Sequence, residues 1–427
     1  MSHKESTGLI ELEKRLQKAH LIGICENKLE LEDKEKSMQE LKLLVKTMGL
    51  VTESINIQKR DKPTIKFYTG SGFIREAAAK MEEGDVLIFD NDLHPSQIRN
   101  ISKEFKIDIM DRTEVILEIF QQHVRSKEAR IQVNLARYEY ELPRLRNMWK
   151  HLDREKGTVA TGGISRGSGE KQLELDKRYV RLKIRKARHD LAKIANQKEV
   201  QRQYRLAHFK KVCIVGYTNA GKSTLFNSLT DGNVLVEDKL FATLESTSKA
   251  LNLGKGKDVI LSDTVGFISK LPHHLVASFR ATLQEVIGAD LLLHIVDADD
   301  DEYSAHINDV EIVLEEIEAN EIPSMIIFNK SDVLSVEQKV AISDKYPESL
   351  FISAVEKTGL DILLDEVDKK LNIAHVVEIL IPHDEQKMIS HLNELGVVMD
   401  REYRNEGVMM KVLLNEEDIY KFKQWKI

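Results

Sequence analysis

KKVCIVGYTNAGKSTLFN, residues 210–227, is the stretch from which the fold of the chain follows. Its first half is an apolar run that predicts a buried strand, and the residues after its second glycine have a helical pattern. Gly216 to Ser223 fits G-x-x-x-x-G-K-[ST], a loop between strand and helix whose backbone N–H groups surround phosphate. We expect the N–H groups from Asn219 to Ser223 to lie at the helix N-terminus, which favours anions. Lys222 is then expected to reach the β- and γ-phosphates, and the Ser223 hydroxyl to hold Mg²⁺.

The residues Asn329-Lys330-Ser331-Asp332 end a second apolar run and predict which base is bound. A carboxylate at Asp332 can accept hydrogen bonds from the ring N1–H and the exocyclic amine of guanine. Adenine has an acceptor at N1, so it would leave this carboxylate unpaired. The aliphatic stem of Lys330 can cover the ring, and a backbone N–H at Ser353 or Ala354 can donate to guanine O6. The sequence therefore predicts GTP rather than ATP, and a standalone ATPase or helicase is the weaker interpretation.

Two segments between these motifs are predicted to sense the γ-phosphate. Asp263-x-x-Gly266 follows a strand; Asp263 is expected to act on Mg²⁺ through water, and the Gly266 N–H to bind the γ-phosphate. The segment FATLEST, residues 241–247, is the predicted first switch, with Thr243 as the candidate second Mg²⁺ ligand and Thr247 as its competitor. Both segments would order around GTP and release after hydrolysis.

Phe267 stands where many GTPases place a glutamine that orients the attacking water. A phenyl ring cannot orient water, so intrinsic hydrolysis is expected to be slow and to need a partner, another residue or an ion. Asn219 points to the ion, because the loop resembles P-loop GTPases in which an asparagine here holds K⁺ near the β/γ bridge. The sequence therefore predicts K⁺ stimulation; the alternative is that Asn219 only hydrogen-bonds its own loop.

The candidate nucleotide contacts fall in four groups along the chain. They are Gly216, Tyr217, Thr218, Asn219, Ala220, Gly221, Lys222, Ser223 and Thr224; Phe241, Ala242, Thr243 and Leu244; Asp263, Thr264, Val265 and Gly266; and Asn329, Lys330, Ser331 and Asp332 with Ser353, Ala354 and Val355. Within these groups the candidate catalytic residues are Lys222, Thr243, Gly266 and Asn219, and the candidate Mg²⁺ ligands are Ser223 and Thr243.

The chain of 427 residues, with 42% apolar and 31% charged residues, is too long for one ordinary globular domain. The pattern of apolar runs predicts a multidomain α/β protein with four parts. These are an N-terminal α/β domain (1–127), a long antiparallel basic helical hairpin with a Gly-rich tip (128–207), a P-loop domain with a mostly parallel sheet (208–372) and a small C-terminal α+β domain (373–427).

The hairpin is predicted from two heptad patterns on either side of a glycine-rich loop. Apolar residues recur every three or four positions in the first half, and every seven positions, with two offset residues, in the second. Pro143 is expected to kink or split the first helix. The seam positions are Ile131, Leu135, Tyr138, Leu142, Leu145 and Trp149 in the first half, and Leu173, Val180, Ile184, Ala187, Leu191 and Ile194 in the second.

Charge is distributed very unevenly along the chain. Residues 171–211 carry 14 Lys and Arg against 4 Asp and Glu, a local net of +10 in a chain whose net charge is −7. A solvated helix face is one explanation. The strong excess of positive charge instead favours a polyanion as the partner, and therefore nucleic acid.

The two cysteines, Cys25 and Cys213, make no disulfide framework and favour a reducing compartment. The first fifteen residues contain no apolar signal-peptide core, and no stretch has the apolar length of a membrane-spanning helix. We therefore expect a cytoplasmic monomer without a transmembrane segment; peripheral association with a membrane stays open.

With these motifs in place, the chain resembles the HflX family of translational GTPases, within the Obg–HflX group, over nearly its whole length. The resemblance is carried by GGISRGSGEKQLELDKR (162–178), GYTNAGKSTLFN, LFATLES, SDTVGFISKLPHHLVASFRATLQE, NKSD and SAV, which follow one another in the order of the family. Ser168 and Lys171 depart from the usual Pro and Thr, and Glu245-Ser246 lacks the usual Pro after the acidic residue. Gly70-Ser71-Gly72-Phe73 lacks the family's frequent Lys, which favours a turn before a helix over a second nucleotide site.

The resemblance implies binding to the large (50S) ribosomal subunit near the peptidyl-transferase centre in the GTP state, with subunit dissociation and rescue of stalled ribosomes under stress. It makes Arg166, Lys171, Lys177 and Arg178 candidate rRNA contacts, although the glycines around Arg166 could simply reverse the chain. The alternative function is a regulatory GTP switch that binds a protein partner through its helical hairpin.

Overall fold

The computed structural model describes residues 17–25, 30–155, 168–206, 209–230, 240–241, 246–253, 258–270, 283–371, 375–414 and 416–426. They fall into two compact units, which meet along the chain between Leu191 and Ala192. The predicted boundaries at 127, 207 and 372 divide the chain more finely than these two units and stay predictions.

The first unit contains a four-stranded parallel sheet in the order β2-β1-β3-β4. Strands β1 and β3 are apolar and buried because helices cover both faces of a parallel sheet. The strands are β1 (Lys18–Cys25), β2 (Val51–Lys59), β3 (Val86–Phe89) and β4 (Asp108–Asp111), and the helices are α1 (Leu31–Thr47), α2 (Ser71–Ala78), α3 (Pro95–Phe105) and α4 (Arg112–His123). Gly70 precedes α2, which places the Gly-Ser-Gly segment at a turn into a helix, as expected.

The predicted hairpin helices are α5 (Lys127–Glu155) and α6 (Ser168–Leu206). Their seam positions pack together in one cluster: Leu135, Val180, Ile184 and Ala187 are buried, and Ile131, Tyr138, Leu142, Leu145 and Leu191 pack against them. The side chains of Trp149 and Leu173 lie outside the described residues. Helix α5 is not split at Pro143, since packing of Leu142 and Leu145 on both sides of the proline outweighs the lost backbone hydrogen bond.

The second unit contains a six-stranded sheet in the order β10-β9-β8-β5-β7-β6, parallel except for β6 at one edge. Its strands are β5 (Lys210–Gly216), β6 (Thr247–Asn252), β7 (Asp258–Asp263), β8 (Leu291–Asp297), β9 (Ser324–Asn329) and β10 (Leu350–Phe351). Its helices are α7 (Lys222–Leu229), α8 (Gln284–Ile287), α9 (Tyr303–Glu316), α10 (Val336–Lys345) and α11 (Leu360–Leu371). Three of the four groups of candidate residues follow strands β5, β7, β9 and β10 of this sheet, so they gather at its carboxyl edge. In the remaining group only Phe241 lies within the described residues.

The C-terminal part of the second unit is a three-stranded antiparallel sheet in the order β11-β13-β12. It consists of β11 (His375–Ile381), α12 (Gln386–Leu395), β12 (Val397–Arg404), β13 (Gly407–Leu414) and α13 (Glu416–Lys421). Phe422 and the inward side chains of the sheet form its core. The predicted multidomain α/β fold class, with a mostly parallel central sheet and a small C-terminal α+β part, is therefore correct.

Among the residues that the structure describes, no helix combines the length and the apolar composition that crossing a bilayer requires.

Candidate nucleotide site

The loop between β5 and α7 is shaped by residues with positive φ angles. Asn219 has φ 63° and Gly221 has φ 88°. A Cβ at Gly221 would lie 2.2 Å from Asn329 Nδ2, so both the backbone angle and the available space require glycine. The turn thereby directs the start of α7, with Lys222 and Ser223, toward the carboxyl edge of the sheet.

Lys222 is buried, and its Nζ donates a hydrogen bond to the Tyr217 carbonyl oxygen at 2.6 Å. Burial lowers the pKa of Lys222 to about 8, and the nearby Asp263 carboxylate opposes this effect. The ammonium group is therefore charged at neutral pH but poorly solvated, which makes an anion such as a phosphate a favourable neighbour.

Ser223 and Asp263 form the part of the site that suits a divalent cation. Ser223 Oγ donates to Asp263 Oδ2 at 2.7 Å, and burial raises the pKa of Asp263. Asp263 Oδ1 is buried and has no hydrogen-bond partner among the described residues. A hydroxyl and a carboxylate with an unused acceptor are oxygen donors of the kind that Mg²⁺ takes, partly through water, so the residues fit the ion.

The segment Asp263–Lys270, the second switch, lies against the phosphate loop. The Thr218 N–H donates to the Phe267 carbonyl at 2.7 Å, and the Phe267 N–H donates to the Gly216 carbonyl at 3.1 Å. A Cβ at Gly266 would lie 2.9 Å from Lys222 Nζ and 2.8 Å from Thr218 Cγ2, so the sequence-predicted pair of Lys222 and Gly266 is brought together. The Phe267 ring is buried.

Asn329 connects the phosphate loop to the loop that contains Ser353. Its Nδ2 donates to the Ala220 carbonyl at 2.9 Å, and its Oδ1 accepts from the Ala354 N–H at 2.9 Å. Asn329 is buried, so its loss would leave two buried backbone groups unsatisfied. The two loops predicted to hold phosphate and base are thus fixed to one another by one side chain.

Lys330 and Asp332 directly follow β9, at the carboxyl edge of the sheet where the base is expected. Lys330 Nζ pairs with Asp297 Oδ2 at 2.5 Å, which holds the lysine stem in place. The Ser353 hydroxyl donates to the exposed Asp332 carboxylate and lowers its pKa, so this carboxylate is charged and can accept hydrogen bonds. Ser331 is buried, with its N–H bonded to the Ile352 carbonyl, whereas Val355 is largely exposed.

The structure adds residues that the motifs did not reveal. Asp297 ends β8, and its signal was available: the run LLLHIVD predicts a parallel strand whose carboxyl end lies beside that of β9. His306 in α9 stacks on the Tyr217 ring, with ring centroids 3.7 Å apart, and carries no motif of its own. Ser228 Oγ donates to the Ala354 carbonyl at 2.7 Å and so links α7 to the loop that contains Ser353, here called the base loop.

The remaining predicted residues stand as follows. Thr264 Oγ1 donates to the Ile214 carbonyl at 2.6 Å, Val265 is half-buried, and Thr224 lies in α7. Phe241 is buried with φ 58°, whereas Ala242, Thr243 and Leu244 lie outside the described residues. Thr247, the competitor of Thr243, pairs with Asp263 in the strand register. Of the candidate rRNA contacts, Arg166 and the side chain of Lys171 lie outside the described residues, Lys177 is half-buried and Arg178 is exposed.

Three family models match successive parts of the chain. They are described as GTP-binding GTPase N-terminal (residues 35–121), GTP-binding GTPase Middle Region (residues 123–205) and 50S ribosome-binding GTPase (residues 211–330). The chain is 38% identical to the GTPase HflX of Caldanaerobacter subterraneus subsp. tengcongensis over 405 residues, 94% of this chain and 92% of that protein. The chain belongs to the GTPase HflX family. The HflX protein of Escherichia coli K12 is 37% identical and covers 88% of this chain and 88% of its own length.

Among solved structures, a GTP-binding protein from Sulfolobus solfataricus in complex with GDP is 25% identical, covering 83% of this chain and 99% of that chain with a TM-score of 0.44. HflX membership, together with the GTPase domain model, makes this chain a guanine-nucleotide-binding enzyme that hydrolyses GTP. The expectation of GTP rather than ATP is accordingly confirmed.

Proposed function

We propose that this HflX GTPase binds the large (50S) ribosomal subunit in its GTP-bound state and separates or rescues stalled ribosomes under stress. The observation that carries the proposal is the outward face of α6. Its seam residues Val180, Ile184 and Ala187 are buried, whereas six cations on its other faces are exposed: Arg178, Arg181, Arg185, Lys186, Arg188 and Lys193. Such a face suits the phosphates of rRNA, and the 50S ribosome-binding description of the model over 211–330 supports the same partner.

In the proposed hydrolysis step, Lys222 and the Gly266 N–H stabilise charge on the γ-phosphate, while loop N–H groups hold the other phosphates. Ser223 and Thr243 would ligate Mg²⁺, with Asp263 acting through water, and the ion would neutralise charge on the β- and γ-phosphate oxygens. Asn219 is the proposed K⁺ ligand. Because Phe267 cannot orient water, we propose that the intrinsic rate is low and that the ribosome raises it.

Guanine would be held by Asp332, covered by Lys330 and approached by the Ala354 region. Asn329 would then couple binding of guanine to the conformation of the phosphate loop. Its side-chain amide bonds to Ala220 in the phosphate loop and to Ala354 in the loop that approaches the base. We further propose that Arg166, Lys171, Lys177 and Arg178 contact rRNA at the tip and the first turns of α6, and that the protein works in the cytoplasm as a monomer.

Cosedimentation with ribosomes tests this function. With a non-hydrolysable GTP analogue, the protein is expected to comigrate with the large subunit, and with GDP or no nucleotide it should stay at the top of the gradient. For about four phosphate contacts, affinity should fall about 100-fold between 50 and 200 mM salt. The double charge reversal Lys177→Glu with Arg178→Glu should weaken binding, as should Arg166→Glu with Lys171→Glu.

The matched control reverses two exposed lysines of α1, Lys42→Glu with Lys46→Glu, and should bind as the wild type does. Absence of comigration in every nucleotide state would contradict the ribosome proposal. It would favour the alternative function, a GTP switch that binds a protein partner through the hairpin. Unchanged affinity of both hairpin variants would remove the proposed rRNA contacts.

A further inference from the structure

The Tyr217 side chain joins the phosphate loop to the second switch. Tyr217 Oη accepts a hydrogen bond from the Ser269 N–H at 2.7 Å, and the ring is almost completely buried. Ser269 lies three residues after Gly266, whose N–H is the predicted γ-phosphate donor. The Tyr217 hydroxyl thus holds the chain just beyond Gly266, whose N–H must be placed accurately to reach the γ-phosphate.

Backbone hydrogen bonds hold the same segment at Phe267, two residues before Ser269. Tyr217 and Phe267 form an isolated parallel bridge, made by Thr218 N–H to the Phe267 carbonyl and Phe267 N–H to the Gly216 carbonyl. The segment is therefore fixed at Phe267 by main-chain groups and at Ser269 by one side chain. Only the second attachment can be removed by substitution without changing the loop backbone.

The Tyr217 ring is itself held in place from the other side of the site. His306, near the start of α9, stacks on it with ring centroids 3.7 Å apart and an interplanar angle of 15°. His306 Nδ1 lies 3.2 Å from Asp300 Oδ2, and this contact lowers the pKa of Asp300, which stays ionised. Aromatic stacking of this kind stabilises a pair of rings beyond the burial of their area, so it favours one orientation of the Tyr217 ring.

Asp300 belongs to the loop that follows β8, and the same loop begins with the partner of Lys330. Asp297 pairs with Lys330, and the Ala298 N–H donates to the Asn329 carbonyl at 3.0 Å. The start of this loop thus contacts Lys330 of the Asn329–Asp332 motif. Further along, Asp300 contacts His306, which stacks on the Tyr217 ring. The phenol is anchored to the part of the site that recognises guanine.

We propose that Tyr217 is a positioning residue for GTP hydrolysis, with His306 orienting its ring. Its hydroxyl fixes Ser269, so that the chain directly after Gly266 is held at both Phe267 and Ser269 and the Gly266 N–H stays directed at the γ-phosphate. The rate depends on this placement because small displacements of a transition-state donor are costly. The affinity for nucleotide should depend little on the placement of Gly266, because the substitution leaves the phosphate-loop N–H groups that hold the other phosphates unchanged.

Single-turnover GTP hydrolysis without ribosomes tests the proposal with Tyr217→Phe, which keeps the ring and removes the hydroxyl. We expect the rate to fall about five-fold, the value of one lost hydrogen bond, with GDP and GTP-analogue affinities within about two-fold of wild type. Amide hydrogen exchange at Ser269 should become faster. Tyr303→Phe is the matched control, because its ring contacts Phe328 and Tyr346 and the change removes the same atom.

Two variants of His306 test the stacking. His306→Ala should slow hydrolysis as Tyr217→Phe does, whereas His306→Phe keeps a ring against Tyr217 and should restore a rate close to wild type. Four results would overturn the proposal: a wild-type rate in Tyr217→Phe, an equal loss in Tyr303→Phe, a loss of affinity in proportion to rate, or His306→Phe as slow as His306→Ala. None of these measurements involves the ribosome, so they stand whether or not the proposed partner is correct.

Discussion

Asn219 has a left-handed backbone conformation that few residues other than glycine adopt readily. Asparagine is among those few, so the residue meets the geometric demand of the loop while also placing an amide at its exposed surface. A carbonyl oxygen on that amide is a suitable ligand for a monovalent cation next to the phosphates. Any test of this role must remove the side chain and leave the backbone angle unchanged.

Asn219→Gly meets this requirement, because glycine adopts a positive φ without strain. We expect the wild type to hydrolyse GTP about ten-fold faster in KCl than in NaCl, since a cation that neutralises transition-state charge contributes about 1.4 kcal/mol or more. The Asn219→Gly variant should hydrolyse at the same slow rate in both salts. Steady-state phosphate release at matched ionic strength measures this, and equal wild-type rates in the two salts would refute it.

Motif residues that are contiguous in sequence were predictable, because their roles follow from a short loop and its neighbouring strand and helix. Lys222, Ser223, Asp263 and Gly266 were placed together on that basis. His306 was not predictable, since its role depends on a ring from another element reaching it across the site. The Asn329 amide was predicted to contact nucleotide, but its links to Ala220 and Ala354 depend on loop conformations that the sequence does not encode locally.

At the scale of elements, the junction between α4 and α5 fixes the first helix of the hairpin to the parallel sheet. Tyr140 in α5 donates from its hydroxyl to Asp111 Oδ1 at 2.7 Å, and Arg144 Nη2 pairs with Asp111 Oδ2 at 2.8 Å. Burial raises the pKa of Asp111. Burial, and then the charge of Asp111, raise the pKa of Glu114 from 4.5 to about 7. Two largely buried carboxyl groups thus lie close together, and the charges of Arg144 and, more weakly, Arg137 offset only part of the cost of burying them.

The stability of this junction should depend on Glu114 protonation. The folded chain holds the proton more tightly than the unfolded chain, so the stabilising contribution is complete below about pH 4.5 and is lost as pH rises through about 7. Glu114→Gln keeps a neutral side chain, so at pH 7.5 it should stabilise α4 by about 2 kcal/mol after allowance for partial solvation.

Native-state amide exchange in α4, corrected for its intrinsic pH dependence, measures the effect. The wild type should lose protection between pH 5 and 7.5, and Glu114→Gln should not. Glu118→Gln, the same substitution one turn later, is the control and should retain most of the wild-type pH dependence. An unchanged pH profile in Glu114→Gln would show that another group is responsible.

The periodicity of apolar residues predicted the helices of the hairpin better than the position of a single helix-breaking residue did. Nine of the twelve predicted heptad positions of α5 and α6 pack together in the structure, because the apolar seams of two helices are buried against each other. Pro143, by contrast, was expected to kink or split the helix, and the split does not occur. Helix continuity there is decided by packing on both sides of the proline, which a rule about one residue does not contain.

At the scale of the whole molecule, we expect nucleotide to bind only one of the two compact units, since all described candidate contacts lie between Gly216 and Val355. GDP at 100 times its dissociation constant should therefore stabilise that unit by about 2.7 kcal/mol. Amide exchange should report this as added protection in β5 and β8 and none in β1 and β3. ADP at the same concentration is the control and should protect neither set, while equal protection of β1 and β3 would mean that the units unfold together.

The antiparallel edge strand β6 has a mechanical consequence. Thr247, where the first switch ends, pairs with Asp263, where the second begins, and Ser248 Oγ lies 2.8 Å from Ser262 Oγ beside that pair. The register continues without interruption to Asn252 and Asp258. Because a shift of register would turn these side chains to the opposite face of the sheet, the ladder keeps the end of the first switch next to the start of the second. We therefore expect a displacement of either segment to be transmitted to the other through β6 and β7.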